Sequence, residues 1–196
     1  QYGDCWLEVA PHARGHGYAF ENRVVGGAIP RNFIKEKKKG VLDAMPEGPL
    51  SGFPVVDVQV AVYDGSYHAV DSSEMSFKIA GSMAFKKAIE AAHPVLLEPV
   101  MTVEIDTPTD AVGAVMGDLN ARRGRIVAVN AQDHAEQIKA LVPLAELLRY
   151  ATSLNAMTGG RGSYVMDFAQ YDEVPRELAA KVIERQKAEG QAATAH

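Results

Sequence analysis

The order of elements between Val95 and Ala169 most constrains the fold of this chain. Val95–Asp106 has the composition of a strand, and Thr107-Pro108 opens a helix, where proline is tolerated because the first helical N–H has no partner. Val112, Val115, Met116 and Leu119 recur at helical spacing as a buried stripe, and Gly124 closes the helix after Arg122 and Arg123. Strands are predicted at Arg125–Asn130 and Gln137–Val142, on either side of a polar hairpin loop. A second helix starts at Leu144, buries Leu147, Leu148, Ala151 and Leu154, and stops at Gly159. Ser163–Ala169 is the last strand. Strand, helix, strand, strand, helix, strand is the split βαβ, ferredoxin-like plan.

A second unit precedes it. His93-Pro94 marks the boundary, because the residue before proline is pushed out of the helical region. Val56, Val58, Val60 and Val62 alternate with Asp57, Gln59, Ala61 and Tyr63, which predicts a half-buried strand. Asp64-Gly65-Ser66-Tyr67-His68 follows as a tight loop. Asp71-Ser72-Ser73-Glu74 then reads as a capping box, and Phe77, Ala80, Ala84 and Ala88, flanked by Met75, Ile79 and Met83, as a broad apolar helical face. Upstream, strands are expected at Asp4–Val9 and Tyr18–Val25. A helix through Phe33, Ile34, Val41, Leu42 and Met45 is interrupted by Gly40 and carries Lys35, Lys37, Lys38 and Lys39 as a solvated face, with an electrostatic RNA contact as the alternative. The chain opens on Gln1 without a methionine and reads as a cut fragment. Three segments result: 1–93, 94–174, and 175–196, the last a helix from Pro175 with a disordered tail over Gln191–His196.

Composition sets further limits. Apolar residues at 47% and charged residues at 23% describe a globular chain, with no run long enough for a membrane-spanning helix. The single cysteine, Cys5, allows no internal disulfide and fits a reducing cytoplasm. A net charge of −5 argues against a general nucleic-acid coat. It leaves room for local RNA contact, since the contacting patch decides that.

Catalysis by this chain is not indicated. No G-x-x-x-x-G-K-[ST] sequence occurs, so no phosphate cradle for GTP is present. Gly159-Gly160-Arg161-Gly162 ends a helix and enters a strand, the reverse of a phosphate-binding turn. His12 and His16 sit in a glycine-rich turn, and with His68, His93 and His134 they lack the tight spacing of a metal site. Ser72 and Ser73 are accounted for by capping, and Cys5 by packing. Arg122, Arg123 and Arg125 either complement the negative end of their helix or contact RNA.

The run DGSYHAVDSSEMSFKIAGSMAFKKAI resembles the fourth domain of bacterial elongation factor G. So does ENRVVGGAIPRNFI before it. PVLLEPVMTVEI, GDLNARRGRI, VPLAELLRYAT and GGRGSYVMDFAQYDEVP extend the resemblance in order through the fifth domain. It implies an α+β, two-domain chain: a β-α-β domain of the ribosomal-protein-like, left-handed βαβ type, then a ferredoxin-like βαββαβ domain and a C-terminal helix. The implied parent is a GTPase that drives tRNA–mRNA translocation, with GTP and magnesium held in a G domain outside this chain. The fragment itself is expected to be no enzyme and to carry no cofactor and no metal.

By the same resemblance, Gln1, Tyr2 and Gly3 end one tip loop and Ser66, Tyr67 and His68 form its companion, both reaching the small-subunit decoding region. An aromatic ring beside an imidazole suits stacking on unpaired bases. Arg122, Arg123 and Arg125 would lie near the large-subunit GTPase-associated region, in contact with rRNA or a ribosomal protein. The implied partner is the ribosome, with a monomeric, cytoplasmic chain and no membrane. Three stretches depart from the family pattern: Lys35–Lys39, Asp133–Glu136, and Leu148-Arg149. A paralogue devoted to ribosome recycling is therefore an alternative, as is a protein-interaction module without RNA contact.

Overall fold

A computed structural model describes residues 2–133 and 135–194, with 191–194 by backbone alone. The fold is α+β with two separate sheets. Contacts group residues up to Leu96 together with those from Pro175 onward, and Leu97–Val174 as a second unit.

In the first unit, β1 (Trp6–Pro11), β2 (Ala19–Asn22) and β3 (Val58–Asp64) form a sheet in the order β1-β3-β2. β1 runs antiparallel to β3 and β2 parallel to it. α1 (Arg31–Ala44) makes the crossover that two parallel neighbours require. Val58, Val60 and Val62 of β3 are buried, as the alternation predicts, against Val41, Phe85 and Ile89 at one end and Ile29, Ile34 and Phe77 at the other. Val56 departs from it: Asp57 takes φ +53 and breaks the strand, leaving Val56 exposed. The Asp57 carboxylate is used instead to accept the N–H groups of Gly15 and Gly17 at 3.0 and 2.8 Å, pinning the turn between β1 and β2.

α2 (Glu74–Ala91) is capped by Ser73, and its reciprocal partner is Ser76 at the third helical position, not Glu74. Its buried side is Ser76, Phe77, Gly81, Phe85 and Ile89, while Met75, Ile79 and Met83 face outward, contrary to the sequence expectation. Nor does Gly40 interrupt α1. It lets α1 and α2 cross so closely that a Cβ at Gly40 would overlap Lys78 O, and one at Gly81 would lie 2.5 Å from Lys37 O. The backbones themselves meet there, so both helices must lack a side chain at the crossing. Lys37 lies on this inward side. Lys35, Lys38 and Lys39 are exposed, but Lys37 is fully buried, so the expectation of a solvated lysine face fails at that one residue.

α5 (Arg176–Thr194) belongs with the first unit, and the Ser51 hydroxyl donates to Ile183 O at 3.0 Å. Its backbone stays helical through Thr194, so the disordered tail expected from Gln191 does not begin there. Residues 195–196 lie outside the described residues.

In the second unit, β4 (Leu97–Pro108), α3 (Val112–Ala121), β5 (Arg125–Gln132), β6 (Ala135–Pro143), α4 (Tyr150–Thr158) and β7 (Ser163–Glu173) follow the ferredoxin-like order. The sheet is antiparallel throughout, in the order β5-β6-β4-β7. Val103, Ile105, Val115, Leu119, Ile138, Tyr150 and Leu154 make its core. Leu148 is not in it. A 3-10 turn over Leu144–Leu147 ends in extended Leu148 and left-handed Arg149, which resets the helical phase. Tyr150 therefore takes the core position, and Leu148 is 75% exposed.

Candidate nucleic-acid interface

Five of the six residues assigned to the tip by resemblance are described, and they lie at one end of the first unit; Gln1 lies outside the described residues. The chain enters through Tyr2, whose N–H donates to Asp71 O at 2.8 Å and whose carbonyl accepts from the Ser76 hydroxyl at 2.9 Å. The residues capping α2 thus also fix the chain before β1. The other segment leaves β3 at Asp64, where the Asp64 side chain accepts the Gly65 N–H at 2.8 Å. It returns when the Ser72 hydroxyl accepts the His68 N–H at 2.9 Å and the Ser72 N–H donates to His68 O at 3.0 Å.

The two segments meet through side chains. The Ser66 hydroxyl donates to Asp4 Oδ2 at 3.1 Å, which leaves its oxygen to accept the Tyr2 phenol at 2.6 Å. The Tyr2 and His68 rings stand edge to face with centroids 4.3 Å apart. Tyr2, Ser66 and His68 therefore form one cluster, joined by a polar chain that ends on Asp4. Tyr67 points elsewhere. It lies near Phe33 at 6.3 Å, and Phe33 stacks on Phe77 at 4.5 Å, so Tyr67 caps an aromatic column rooted in the core. Both Tyr67 and His68 are exposed. The cluster offers ring faces and hydrogen-bonding groups without a lysine or arginine, and Asp4, Asp64 and Asp71 beside it are acidic. It suits stacking and directional hydrogen bonds rather than phosphate attraction.

The arginines of the second unit are arranged differently. Arg122 donates from Nε to Asp118 at 2.7 Å, from one terminal nitrogen to Glu146 O at 2.6 Å and from the other to Ser153 at 2.8 Å. Its plane lies over the Tyr150 ring at 5.1 Å. Arg123, itself at φ +58, makes a two-pronged pair with Glu98 at 2.6 and 3.0 Å and a third bond to Glu146 at 2.9 Å. Hydrogen bonds to Glu98 and Glu146 hold its guanidinium protonated well beyond the ordinary range. Arg125 alone of the three is exposed. Arg122 and Arg123 thus spend their donors inside the unit.

Among the described residues, no group of three or more acidic, histidine or cysteine side chains could hold a metal ion. His12 and His16 touch edge to face at 5.6 Å but face no third donor of that kind. His134 lies outside the described residues. A cleft lined by Glu47, Phe85, Lys86 and Glu90 has a volume of about 110 Å³, below the few hundred typical of ligand pockets. No described helix is long and apolar enough to cross a membrane.

Pattern reading missed the burial of Lys37 beneath the tip. The signal for it was present: Ile34, Lys37, Val41 and Ala44 are spaced three, four and three apart, so Lys37 shares the buried stripe of α1.

Residues 1–93 match the family model of elongation factor G domain IV, and residues 95–182 that of the elongation factor G C-terminus. A crystal structure of a Thermus thermophilus protein is similar over 96% of this chain, at 44% sequence identity and a TM-score of 0.87. The chain spans only 28% of that protein's length. With both units matched in order, the chain belongs to the elongation factor G family.

Proposed function

We propose that this chain is the ribosome-contacting part of a translation factor, with the Tyr2–Ser66–His68 cluster as the tip that enters the small-subunit decoding region. The observation that carries this reading is the convergence of two distant segments on one exposed cluster whose rings stand 4.3 Å apart. The backbone beneath it is held by the Ser72, Ser73 and Ser76 hydroxyls. A tip built to stack on unpaired bases needs rings held at a fixed angle, and this one has them. In a parent carrying a GTPase domain, such a tip would favour the state of the ribosome after tRNA–mRNA translocation by binding it better than the state before. The chain itself performs no chemistry in this reading. Recycling by a paralogue uses the same contact and differs in what the whole factor does with it.

A second reading concerns Leu97–Val174. Met166 and Phe168, on one face of β7, are exposed at 42% and 56%, which favours contact with protein rather than RNA on that face.

The test is chemical footprinting of rRNA on ribosomes with the chain and its His68→Ala variant across a salt series. Protection in the decoding region that weakens in the variant supports the tip. Its salt dependence should be shallow, since no lysine or arginine lies in the cluster. Protection unaffected by His68→Ala would sink the assignment.

A further inference from the structure

Lys37 carries an amine into the base of the tip. The residue is fully buried, and beyond the Cys5 thiol its Nζ has no hydrogen-bonding partner. It lies 5.1 Å over the Phe77 ring, and the Cys5 thiol and the Asp4 and Asp64 carboxylates all act on it. Gly65 comes down directly on it: a Cβ there would lie 2.7 Å from Nζ and 2.5 Å from Asp4 O. Gly65 also sits at φ +153, a conformation that suits glycine. Both chain segments that launch the tip, Asp4–Cys5 and Asp64–Gly65, therefore close over one side chain of α1.

A buried cation without a full set of hydrogen bonds costs stability. Here the geometry continues outward. Asp4, which acts on Lys37, accepts from Ser66; Ser66 accepts from Tyr2; Tyr2 meets His68.

We propose that Lys37 is the positioning residue of the tip, drawing Asp4 inward and so setting where Ser66, Tyr2 and His68 stand. This rests on the tip reading for its purpose, though not for its geometry. The titratable groups facing Nζ are Asp4 and Cys5 ahead of β1 and Asp64 at the end of β3; α2 presents the Phe77 ring and the segment before α1 the Ile29 side chain. Burial holds the Lys37 amine below its ordinary value despite these carboxylates, and pushes the Cys5 thiol up to about 11. With the folded value depressed, the unfolded chain binds more protons in the window below the ordinary lysine value. Stability contributed by this group therefore rises with pH through that window.

The test is Lys37→Met, which keeps the length of the side chain and removes its charge. At neutral pH its thermal midpoint should equal or exceed that of the wild type. The Tyr2, Ser66 and His68 resonances should shift, and protection of decoding-region RNA should weaken roughly five-fold, the equivalent of one coupled hydrogen bond. Unmoved tip resonances, whatever the midpoint, would mean that the amine does not set the tip, and would overturn the proposal. Shifted resonances with unchanged RNA protection would support Lys37 as the positioning residue and sink the ribosomal reading instead. Should the variant fail to fold, the wild type is titrated by NMR. The Lys37 ε-carbon and the Tyr2 and His68 rings must move over the same pH range, and a Lys37 titration to which the rings are indifferent overturns the proposal.

Discussion

The tip of the first unit and the arginine turn of the second are both polar clusters at the ends of secondary structure, and they direct their polar groups in opposite directions. At the turn, Arg122 and Arg123 point inward: Asp118, Glu98, Glu146, Ser153 and the Tyr150 ring take up their donors and planes. At the tip, hydroxyls and backbone groups hold the loops from beneath, and the Tyr67 and His68 rings are left to solvent. A cluster of cations is therefore no guide to RNA contact until their donors are accounted for. A cluster of held rings without lysine or arginine is the better candidate for recognition.

Four substitutions can break or sharpen this contrast. Arg123→Ala should have the largest effect on stability. It leaves Glu98, whose side chain is 13% exposed, without its two-pronged partner, and leaving a partly buried charged group without such hydrogen bonds costs about 2–3 kcal/mol. Faster hydrogen exchange at α3 and β4 amides is the expected readout; unchanged exchange with weaker RNA binding would reverse the contrast.

Ser76→Ala comes next. It removes half of the capping box and the anchor of Tyr2 O together, at a cost of about 1–2 kcal/mol. Urea unfolding followed at the first unit should report the loss, along with a shifted Tyr2 resonance.

Tyr2→Phe should cost about 0.5–1 kcal/mol, the usual worth of one hydrogen bond at a partly exposed site. It frees Ser66 while leaving the ring against His68, so nuclear Overhauser contacts between rings 2 and 68 should persist. Their disappearance would mean that the hydrogen bond, not ring packing, orders the tip.

His68→Ala should change stability least, within about 0.5 kcal/mol, because the side chain is exposed and meets the Tyr2 ring edge to face. Its effect should be on RNA protection alone. A large loss of stability in that variant would make His68 a structural residue and end the contrast.

Much of the fold was legible in the sequence because it depends on periodicity and caps. The four strands and two helices of the ferredoxin-like unit follow from period-two and period-3.6 patterns that involve only near neighbours along the chain. Two of the errors lie where one residue resets the local frame. Left-handed Arg149 turns Leu148 outward and Tyr150 inward, and left-handed Asp57 starts β3 after Val56. A positive φ at a residue other than glycine has little local signature, so nothing in the pattern warned of either.

The candidate site divides in the same way. The residue types at the tip, the capping serines and the glycine after Asp64 could be read from the sequence alone, since turn and cap chemistry is local. Only tertiary structure could decide that Gly40 and Gly81 mark a crossing of two helices, that Arg122 and Arg123 face inward, and that Lys37 is sealed beneath Gly65. Those outcomes depend on which surfaces meet across long stretches of chain. Whether a charged side chain is solvated, paired or buried is settled by its neighbours in space, and neighbours in sequence do not specify them.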